Sequence, residues 1–423
     1  AGLAALGCDA GDALADADAT AADAAADVEE EASEADAAAE AGLEAAAAAE
    51  ADAGNGAGAS ETELQPLMAS TARPAPASHR IFILRSVTKS APNPWDNEST
   101  PQPMAINVAF HKHRLSNGLD VILHQDRSVP VAAVNVWYHV GSQNEEPDRT
   151  GFAHLFEHIM FKGSKHHRRE YFMALQELGA NANASTTSDR TNYYENVPAE
   201  YLELALWLES DRMGFLLDAL DQSSFDVERE VVKNERRQSY ENRPYGLASQ
   251  EIRKALFPPN HPYHWQTIGS QEHLNAASIE DVKAFFRQFY LPNNASLSIA
   301  GDLEPDAALT LAEKYFGDLA PGAPVARVER WLPRLDGEVR LNLEDRVQLE
   351  RVYFSWVGPP RFDVDEAPLD VLLSILGEGR SSRLYRSLVY DKQIAREARA
   401  RYEAIEIAGE LRLDATVATG RSV

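Results

Sequence analysis

Two histidines and a glutamate close together, His154, Glu157 and His158, are the residues of this sequence best suited to chemistry. The surrounding residues have helical spacing, which predicts a helix over 151–162. Residues four apart on a helix lie about 40° apart around its axis, so both imidazoles project from one face. Two imidazoles in this arrangement suit a shared metal ion, and Glu157 flanks the same face, where it can reach a water bound to that ion.

A zinc ion in a hydrolytic site takes three protein ligands and leaves one position open, so a further ligand must come from elsewhere in the chain. The segment 225–240 is predicted to be an acidic helix. In it, Glu228 and Glu235 are seven residues apart, nearly two turns, and share a face, while Glu230 points away. We predict that Glu235 is the third ligand and that the Glu228 carboxylate orients a ligand imidazole.

Less specific explanations exist for these residues. A His-x-x-Glu-His pattern also arises by chance or on a solvated charged face, and an acidic helix is usually exposed surface. Here apolar residues interleaved with the motif predict that its helix is buried, namely Phe152, Leu155, Phe156, Ile159 and Met160. Buried imidazoles and a carboxylate are unfavourable unless something satisfies them, and a divalent cation does so. By contrast, His166 and His167 are predicted to lie in a basic turn, and Glu145 and Glu146 in a solvated loop.

Composition excludes several other classes of protein. The 423 residues carry a formal charge of −26, but residues 1–63 hold 17 acidic side chains and no Lys or Arg. The remainder therefore has 49 acidic against 40 basic residues, without a basic stripe that would suit nucleic acid. Cys8 is the only cysteine, so a metal must be bound by histidines and carboxylates. No apolar run reaches the roughly 18 residues needed to cross a bilayer.

Strand and helix patterns alternate along the chain, which predicts an α+β fold with an antiparallel-rich sheet and packed helices. Asn117 and Gly118 between apolar runs predict a hairpin. Composition and turn residues divide the chain into five segments: a disordered Ala/Asp/Glu-rich tether over 1–62, a Pro/Ser/Thr-rich linker over 63–105, a first domain over 106–320, a linker over 321–334, and a partial second domain over 335–423.

The segment Gly141–Ser164 resembles the active-site segment of the pitrilysin and insulinase family of zinc peptidases, in which the catalytic Glu directly precedes the second His. Asn183–Tyr193 resembles the substrate-pairing edge strand of that family, and Glu228–Glu235 resembles its distal-ligand helix. His261–Trp265 is also similar. The resemblance implies that Asn183 and Ala184 bind substrate next to the scissile bond.

The family also implies an activity and an architecture. We expect a zinc-dependent endopeptidase with one Zn²⁺ per chain, Glu157 as its base, and peptides or unfolded polypeptides as substrates. Two homologous α+β units would form a closing chamber, with the second unit cut short here, so that a homodimer or a partner subunit supplies the missing half. The alternatives are a non-catalytic family member serving as a scaffold or assembly subunit, and an unrelated binding module stabilised by a surface zinc.

The segment Leu3–Cys8 resembles the end of a bacterial lipoprotein signal, with Cys8 as the lipidated residue. This similarity predicts a location in the bacterial cell envelope, either periplasmic or secreted, with a lipid anchor at Cys8. The alternative is a chance cysteine in an alanine-rich tract.

Overall fold

The computed structural model describes residues 78–83 and 108–423. The predicted tether over 1–62 and the predicted anchor at Cys8 lie outside these residues. The described strands are β1 Ser78–Ile83, β2 His111–Arg114, β3 Asp120–Gln125, β4 Val131–Tyr138, β5 Asn181–Thr186, β6 Thr191–Pro198, β7 Ala295–Gly301, β8 Val339–Glu344, β9 Arg351–Gly358, β10 Ala395–Ala404 and β11 Gly409–Val417.

The described α-helices are α1 Phe152–Ile159, α2 Tyr171–Gln176, α3 Leu202–Phe215, α4 Gln222–Arg236, α5 Ala248–Leu256, α6 Gln271–Ala276, α7 Ile279–Phe289, α8 Pro305–Phe316 and α9 Glu366–Gly377. The last turns of two helical segments are π-helical, at Arg237–Glu241 and Tyr385–Asp391. In the part of the chain that is described, none of these helices combines the length and the apolar character that crossing a bilayer requires.

The first sheet has six strands in the order β2-β3-β7-β4-β6-β5, and every pair is antiparallel except β3 with β7. The predicted α+β class with an antiparallel-rich sheet is therefore confirmed. Asn117 anchors the β2–β3 hairpin, because its side chain donates hydrogen bonds to the carbonyls of Phe316 and Leu319 at the end of α8, at 2.7 and 3.0 Å. Asn117, one of the two residues that predicted this hairpin, therefore also fixes the hairpin to the end of α8.

Helix α1 is buried by its apolar side. Phe152, Leu155, Phe156 and Ile159 are each at most 5% exposed. The ring of Phe156 packs against aromatic rings of α7 and the residue after it, with centroids 5.0 to 6.0 Å apart. Full burial of such side chains stabilises the fold by about 2 kcal/mol each. This packing fixes α1, so the polar side chains of the helix have a defined direction.

The second sheet has five strands in the order β10-β11-β9-β1-β8. β1 pairs antiparallel with β8 and parallel with β9, so the Pro/Ser/Thr-rich linker predicted over 63–105 contains a sheet strand at Ser78–Ile83 that the sequence did not indicate. That segment has strand-forming residues, and its partners lie more than 250 residues further along the chain, where no local sequence pattern reveals them. Residues 321–334 contain neither helix nor strand. The division into domains at this point stays a prediction.

The two sheets share a local topology. In the first, β4 is followed by helices and then the β5–β6 hairpin, and the strands lie in the order β4-β6-β5. In the second, β9 is followed by α9 and then the β10–β11 hairpin, in the order β9-β11-β10. Helices α1 and α9 therefore occupy corresponding places between a strand and a hairpin.

Candidate metal centre

Helix α1 begins at a glycine that its surroundings require. Gly151 has φ 97°, a left-handed conformation that side chains with a Cβ rarely adopt. A Cβ at this position would lie 3.0 Å from the carbonyl oxygen of Ile268. Gly269, with φ 74°, packs directly against Gly151. The close approach of these two backbones sets where α1 starts, and hence where its side chains point.

Glu145 caps the start of the same helix. Its carboxylate accepts hydrogen bonds from the N–H groups of Gly151 and Ala153, at 3.0 and 2.8 Å, and the residue is only 6% exposed. Burial raises the pKa of Glu145 to about 8, while these hydrogen bonds lower it. The prediction that Glu145 is solvated is therefore wrong, because nothing local in the sequence shows that its loop folds back over the helix. The N–H groups of the first turn have no partner within a helix, so these hydrogen bonds stabilise the start of α1.

The three predicted ligand residues come together. Nε2 of His154 lies 3.5 Å from Oε1 of Glu235, and Nε2 of His158 lies 3.3 Å from Oε2 of the same carboxylate. The rings of the two histidines are 4.8 Å apart and nearly perpendicular. The side chains of His154, His158 and Glu235 are 13%, 25% and 20% exposed, so the group is recessed but reachable from solvent. Their roles as ligands stay a prediction.

This donor set fits zinc. Ligands bonded to zinc at 2.0–2.1 Å in a tetrahedron are separated by about 3.3 Å, close to the two distances between imidazole nitrogens and the Glu235 carboxylate. Two imidazoles with one carboxylate are also a ligand set typical of catalytic zinc, which needs a fourth position for water or substrate. Among the described residues, this is the group of histidines and carboxylates placed to share an ion.

Negative charge surrounds the group. The Glu228 side chain is 4% exposed, and its Oε2 lies 3.8 Å from Nδ1 of His158, too far for a direct hydrogen bond. Lys162 approaches the other oxygen of Glu228 at 3.1 Å. Burial lowers the pKa of His158, but the Glu235 carboxylate, with Glu157 and Glu228, outweighs it and raises that pKa above its usual value. A site that raises the pKa of a cationic group in this way also favours a metal cation.

Glu157 is connected to the edge of the sheet. The hydroxyl of Thr186, the last residue of β5, donates a hydrogen bond to Oε2 of Glu157. β5 is the last strand of its sheet, so one side of it is open among the described strands. The hydroxyl therefore joins the predicted base to the predicted substrate strand. Sequence reasoning missed Thr186, although the resemblance had placed its strand.

The open side of β5 can be assigned residue by residue. Thr187 donates its N–H to the carbonyl of Arg190 across the hairpin turn. Alternation in an antiparallel pair then turns the N–H and C=O groups of Ser185 and Asn183 toward β6, and those of Ala184 and Thr186 outward. The outward N–H of Ala184 donates to Oδ1 of Asn183 at 2.8 Å. Asn183 and Ala184 thus lie on the open edge, where the prediction put them, and their contact with substrate stays a prediction.

Comparisons with known proteins agree with this arrangement. The profile described as Insulinase (Peptidase family M16) matches residues 120–260, and that described as Peptidase M16 inactive domain matches residues 276–421. The chain is 33% identical over 291 residues to the zinc protease PqqE of Helicobacter pylori. This alignment covers 67% of the chain but only 64% of that relative, so the chain spans less than two thirds of its length.

Two solved structures extend the comparison. A protease from Helicobacter pylori matches with a TM-score of 0.69 and 30% identity, covering 74% of this chain and 76% of that one. The periplasmic protease PqqL from Escherichia coli matches with a TM-score of 0.57 and 21% identity, covering 73% of this chain and 35% of that one, which supports the fold alone. With the fold, the grouped residues and these matches in agreement, the chain belongs to the pitrilysin and insulinase family of peptidases, M16.

Proposed function

We propose that this chain is a zinc-dependent endopeptidase that cleaves peptides or unfolded polypeptides. The observation that carries the proposal is the meeting of His154 and His158 with the carboxylate of Glu235, a donor set and spacing suited to one zinc ion. Relatives named as zinc proteases support peptidase chemistry at the level of the family.

The three ligand residues would hold the metal, which when bound lowers the pKa of a water and polarises a scissile carbonyl. Glu157 accepts the proton of the attacking water and returns it to the nitrogen of the leaving amine. The Thr186 hydroxyl, by donating to one oxygen of Glu157, turns the carboxylate and leaves its other oxygen for the water. Glu228 lies behind His158 and, with its own negative charge, strengthens the hold of that imidazole on a cation.

Substrate binding follows from the open edge of β5. An extended peptide can add to this edge as a further strand, pairing with the outward groups of Ala184 and Thr186. Asn183 would rotate away from the Ala184 N–H and bind the peptide instead. A segment must be extended to pair in this way, so the site favours short peptides and unfolded chains over folded proteins.

Replacement of Glu157 tests the proposal. In Glu157→Gln the ligand residues are intact, so the purified protein should retain one zinc per chain while peptide cleavage falls by about 10³-fold or more. Glu230→Gln, an equally conservative change at a half-exposed position of α4, is the control and should retain both. Metal analysis and a fluorogenic peptide library measure the two properties. Retained cleavage in Glu157→Gln would remove Glu157 from its role.

A non-catalytic scaffold or assembly subunit is the second candidate. The match of residues 276–421 to an inactive M16 domain favours a non-catalytic role for that part of the chain. The proposed catalytic residues all lie before it, at His154, Glu157, His158 and Glu235. A protein that binds zinc but cleaves no peptide in the library would support this candidate. If the chain is a peptidase, we further propose that it acts in the bacterial cell envelope, by analogy with the periplasmic PqqL. A homodimer or a partner subunit would then complete the substrate chamber.

A further inference from the structure

Two hairpin turns at corresponding places in the two sheets meet each other. The first, residues 187–190, closes the β5–β6 hairpin and is called here the substrate turn. The second, residues 405–408, closes the β10–β11 hairpin and is called the second-unit turn. Oδ2 of Asp189 in the substrate turn accepts a hydrogen bond from the N–H of Glu406 in the second-unit turn, at 2.8 Å.

A tyrosine outside both turns completes this contact. The hydroxyl of Tyr263 donates to Oδ1 of Asp189 at 2.6 Å and accepts from the N–H of Ile407 at 2.9 Å. Each oxygen of the Asp189 carboxylate therefore binds one donor, and the tyrosine hydroxyl is used both as donor and as acceptor. The four groups form a closed set of hydrogen bonds that holds the substrate turn against the second-unit turn.

The contact is dry. Tyr263 and Ile407 are fully buried, in an apolar cluster that also contains Phe257, Tyr353 and Val357. Burial raises the pKa of Asp189 above its usual value, against the lowering effect of the hydrogen bonds from Tyr263 and Glu406. Hydrogen bonds to a carboxylate are stronger than neutral ones, and partial exclusion of water at the Tyr263 hydroxyl strengthens the bond to Asp189 further. Removal of the Tyr263 hydroxyl therefore leaves a half-buried carboxylate oxygen and the buried N–H of Ile407 without this partner, which is unfavourable.

Tyr263 is itself held in place by its neighbours. Its N–H donates to Nδ1 of His261 at 3.0 Å, and Nε2 of His261 is 2.9 Å from the carbonyl oxygen of Trp331. This pairing requires a neutral imidazole with its proton on Nε2, and burial accordingly lowers the pKa of His261. The His-Pro-Tyr segment of the sequence thus has a structural role, because it presents the Tyr263 hydroxyl to both turns.

The substrate turn lies next to the predicted catalytic groups. Thr187, its first residue, directly follows Thr186, whose hydroxyl binds Glu157. The carbonyls of Thr187 and Ser188 accept hydrogen bonds from the N–H groups of Ser142 and Gln143, at 3.2 and 2.8 Å. A displacement of the substrate turn therefore moves the open edge of β5 and the hydroxyl that orients the base, without touching a ligand residue.

From this connection we infer that Asp189 and Tyr263 are positioning residues, through which the second-unit turn holds the substrate strand β5 and Thr186 in register with Glu157. The inference rests on the proposed function. According to this inference, the second sheet helps to position active-site groups of the first sheet, in addition to any contact that it makes with substrate itself.

The variant Tyr263→Phe tests the inference, because it removes only the hydroxyl. Tyr390→Phe, the same change at a side chain that is 75% exposed, is the matched control. For an extended decapeptide we expect kcat/KM to fall about tenfold in Tyr263→Phe, with a raised KM. A tripeptide amide, which makes few strand contacts, should lose less. Zinc content should be unchanged, since no ligand residue is altered.

A second measurement does not depend on turnover. Hydrogen exchange of the inward amides of β5, at Asn183 and Ser185, which pair with β6, should be faster in Tyr263→Phe than in the original protein or Tyr390→Phe. Asp189→Asn, which keeps the shape of the side chain but replaces one acceptor oxygen by a donor, should give the same effects if Tyr263→Phe folds poorly.

The two proposals fail in different ways. An original protein that holds zinc but cleaves no peptide contradicts the proposed function, and the exchange measurement then still tests the contact between the turns. Exchange in β5 that is unchanged in both variants would overturn the inference. So would a loss of thermal stability with kcat and KM for the decapeptide unchanged, since that is the result of a purely structural role.

Discussion

Helices α1 and α9 occupy corresponding places in the two sheets but differ in what they present. α1 buries its apolar residues and directs two imidazoles toward Glu235, while its carboxylate, Glu157, accepts a hydrogen bond from Thr186. α9 has no histidine, and it leaves Val371, Leu372 and Ile375 between 47% and 60% exposed. The same local topology thus carries a candidate metal centre in one unit and an apolar surface in the other.

The difference teaches that the strand, helix and hairpin arrangement does not itself provide chemistry. In the first unit the candidate metal centre depends on three additions: the histidines of α1, the distant carboxylate of Glu235, and the buried cap Glu145. The second unit lacks a comparable group among its described residues, yet its turn contacts the hairpin that carries the predicted substrate strand. One unit would carry the reaction, and the other would position its substrate strand.

The largest expected effect comes from removing a ligand of the first unit. Glu235→Gln replaces a carboxylate oxygen by an amide, which binds zinc poorly, so zinc affinity should fall by at least about 10³-fold and peptide cleavage should be lost. Isothermal titration with zinc and metal analysis measure the change. Glu230→Gln on the same helix is the control. Unchanged zinc affinity in Glu235→Gln would place the metal elsewhere and remove the contrast between α1 and α9.

Buried glutamates in both units allow a matched test of stability against function. Glu145→Ala leaves N–H groups at the start of α1 without an acceptor, and Glu410→Ala leaves the buried Arg412 without its carboxylate partner. Each should lower the free energy of unfolding by about 3 kcal/mol. Only Glu145→Ala should also weaken zinc binding, because it loosens α1. Urea unfolding and zinc titration separate the two effects, and equal zinc affinities would argue against a role for the cap.

The burial of Glu145 should also make the stability of the folded protein depend on pH. Burial raises the pKa of Glu145 from 4.5 to about 8. Between these values the folded protein holds a proton that the unfolded chain has released, so the free energy of unfolding should fall as pH rises. The slope from this group is at most about 1.4 kcal/mol per pH unit. Glu145→Gln should lack this contribution. If the urea midpoints of the original protein and of Glu145→Gln change in parallel between pH 5 and 8, this prediction is contradicted.

A smaller effect is expected from a threonine hydroxyl in each sheet. Thr186→Val removes the donor to Glu157, and Thr416→Val removes an acceptor for Arg351 in the second sheet. We expect kcat to fall about tenfold in Thr186→Val, to recover in Thr186→Ser, and to stay unchanged in Thr416→Val. Steady-state kinetics on one peptide suffice. A comparable loss in Thr416→Val would show that the effect is general loosening of the fold.

The smallest effect should come from the apolar face of α9. Val371 is 60% exposed, so Val371→Ser should change the free energy of unfolding by less than about 0.5 kcal/mol and leave zinc content unchanged. Thermal unfolding monitored by circular dichroism is the measurement. A large loss of stability would mean that this face is covered in solution.

Much of the first unit could be predicted from its sequence because the relevant signals are local or repeat along a helix. The spacing of His154 and His158 predicts a shared face, and the seven-residue spacing of Glu228 and Glu235 predicts another. The β2–β3 hairpin follows from Asn117 and Gly118 and is confirmed. The edge position of β5 came from the resemblance to a family, since no local pattern distinguishes an edge strand from its neighbour.

The features that sequence reasoning missed depend on contacts between distant segments. β1 is a short run of strand-forming residues whose partners, β8 and β9, lie far along the chain. Glu145 has the local sequence of a solvated loop, and only the return of that loop over α1 makes it a buried cap. The contact of Asp189 with the second-unit turn spans 217 residues. Such pairings follow from the closed fold and not from periodicity.

The hydrogen bond between Asn183 and the outward N–H of Ala184 has a consequence for the protein in the absence of substrate. An exposed strand edge invites pairing with other copies of a chain and so promotes aggregation. By occupying the outward amide with its own side chain, β5 reduces this hazard at the point where the proposed substrate would pair. Any incoming strand has to compete with that intramolecular partner, which disfavours weak, nonspecific self-association and favours segments that make enough further contacts to displace it.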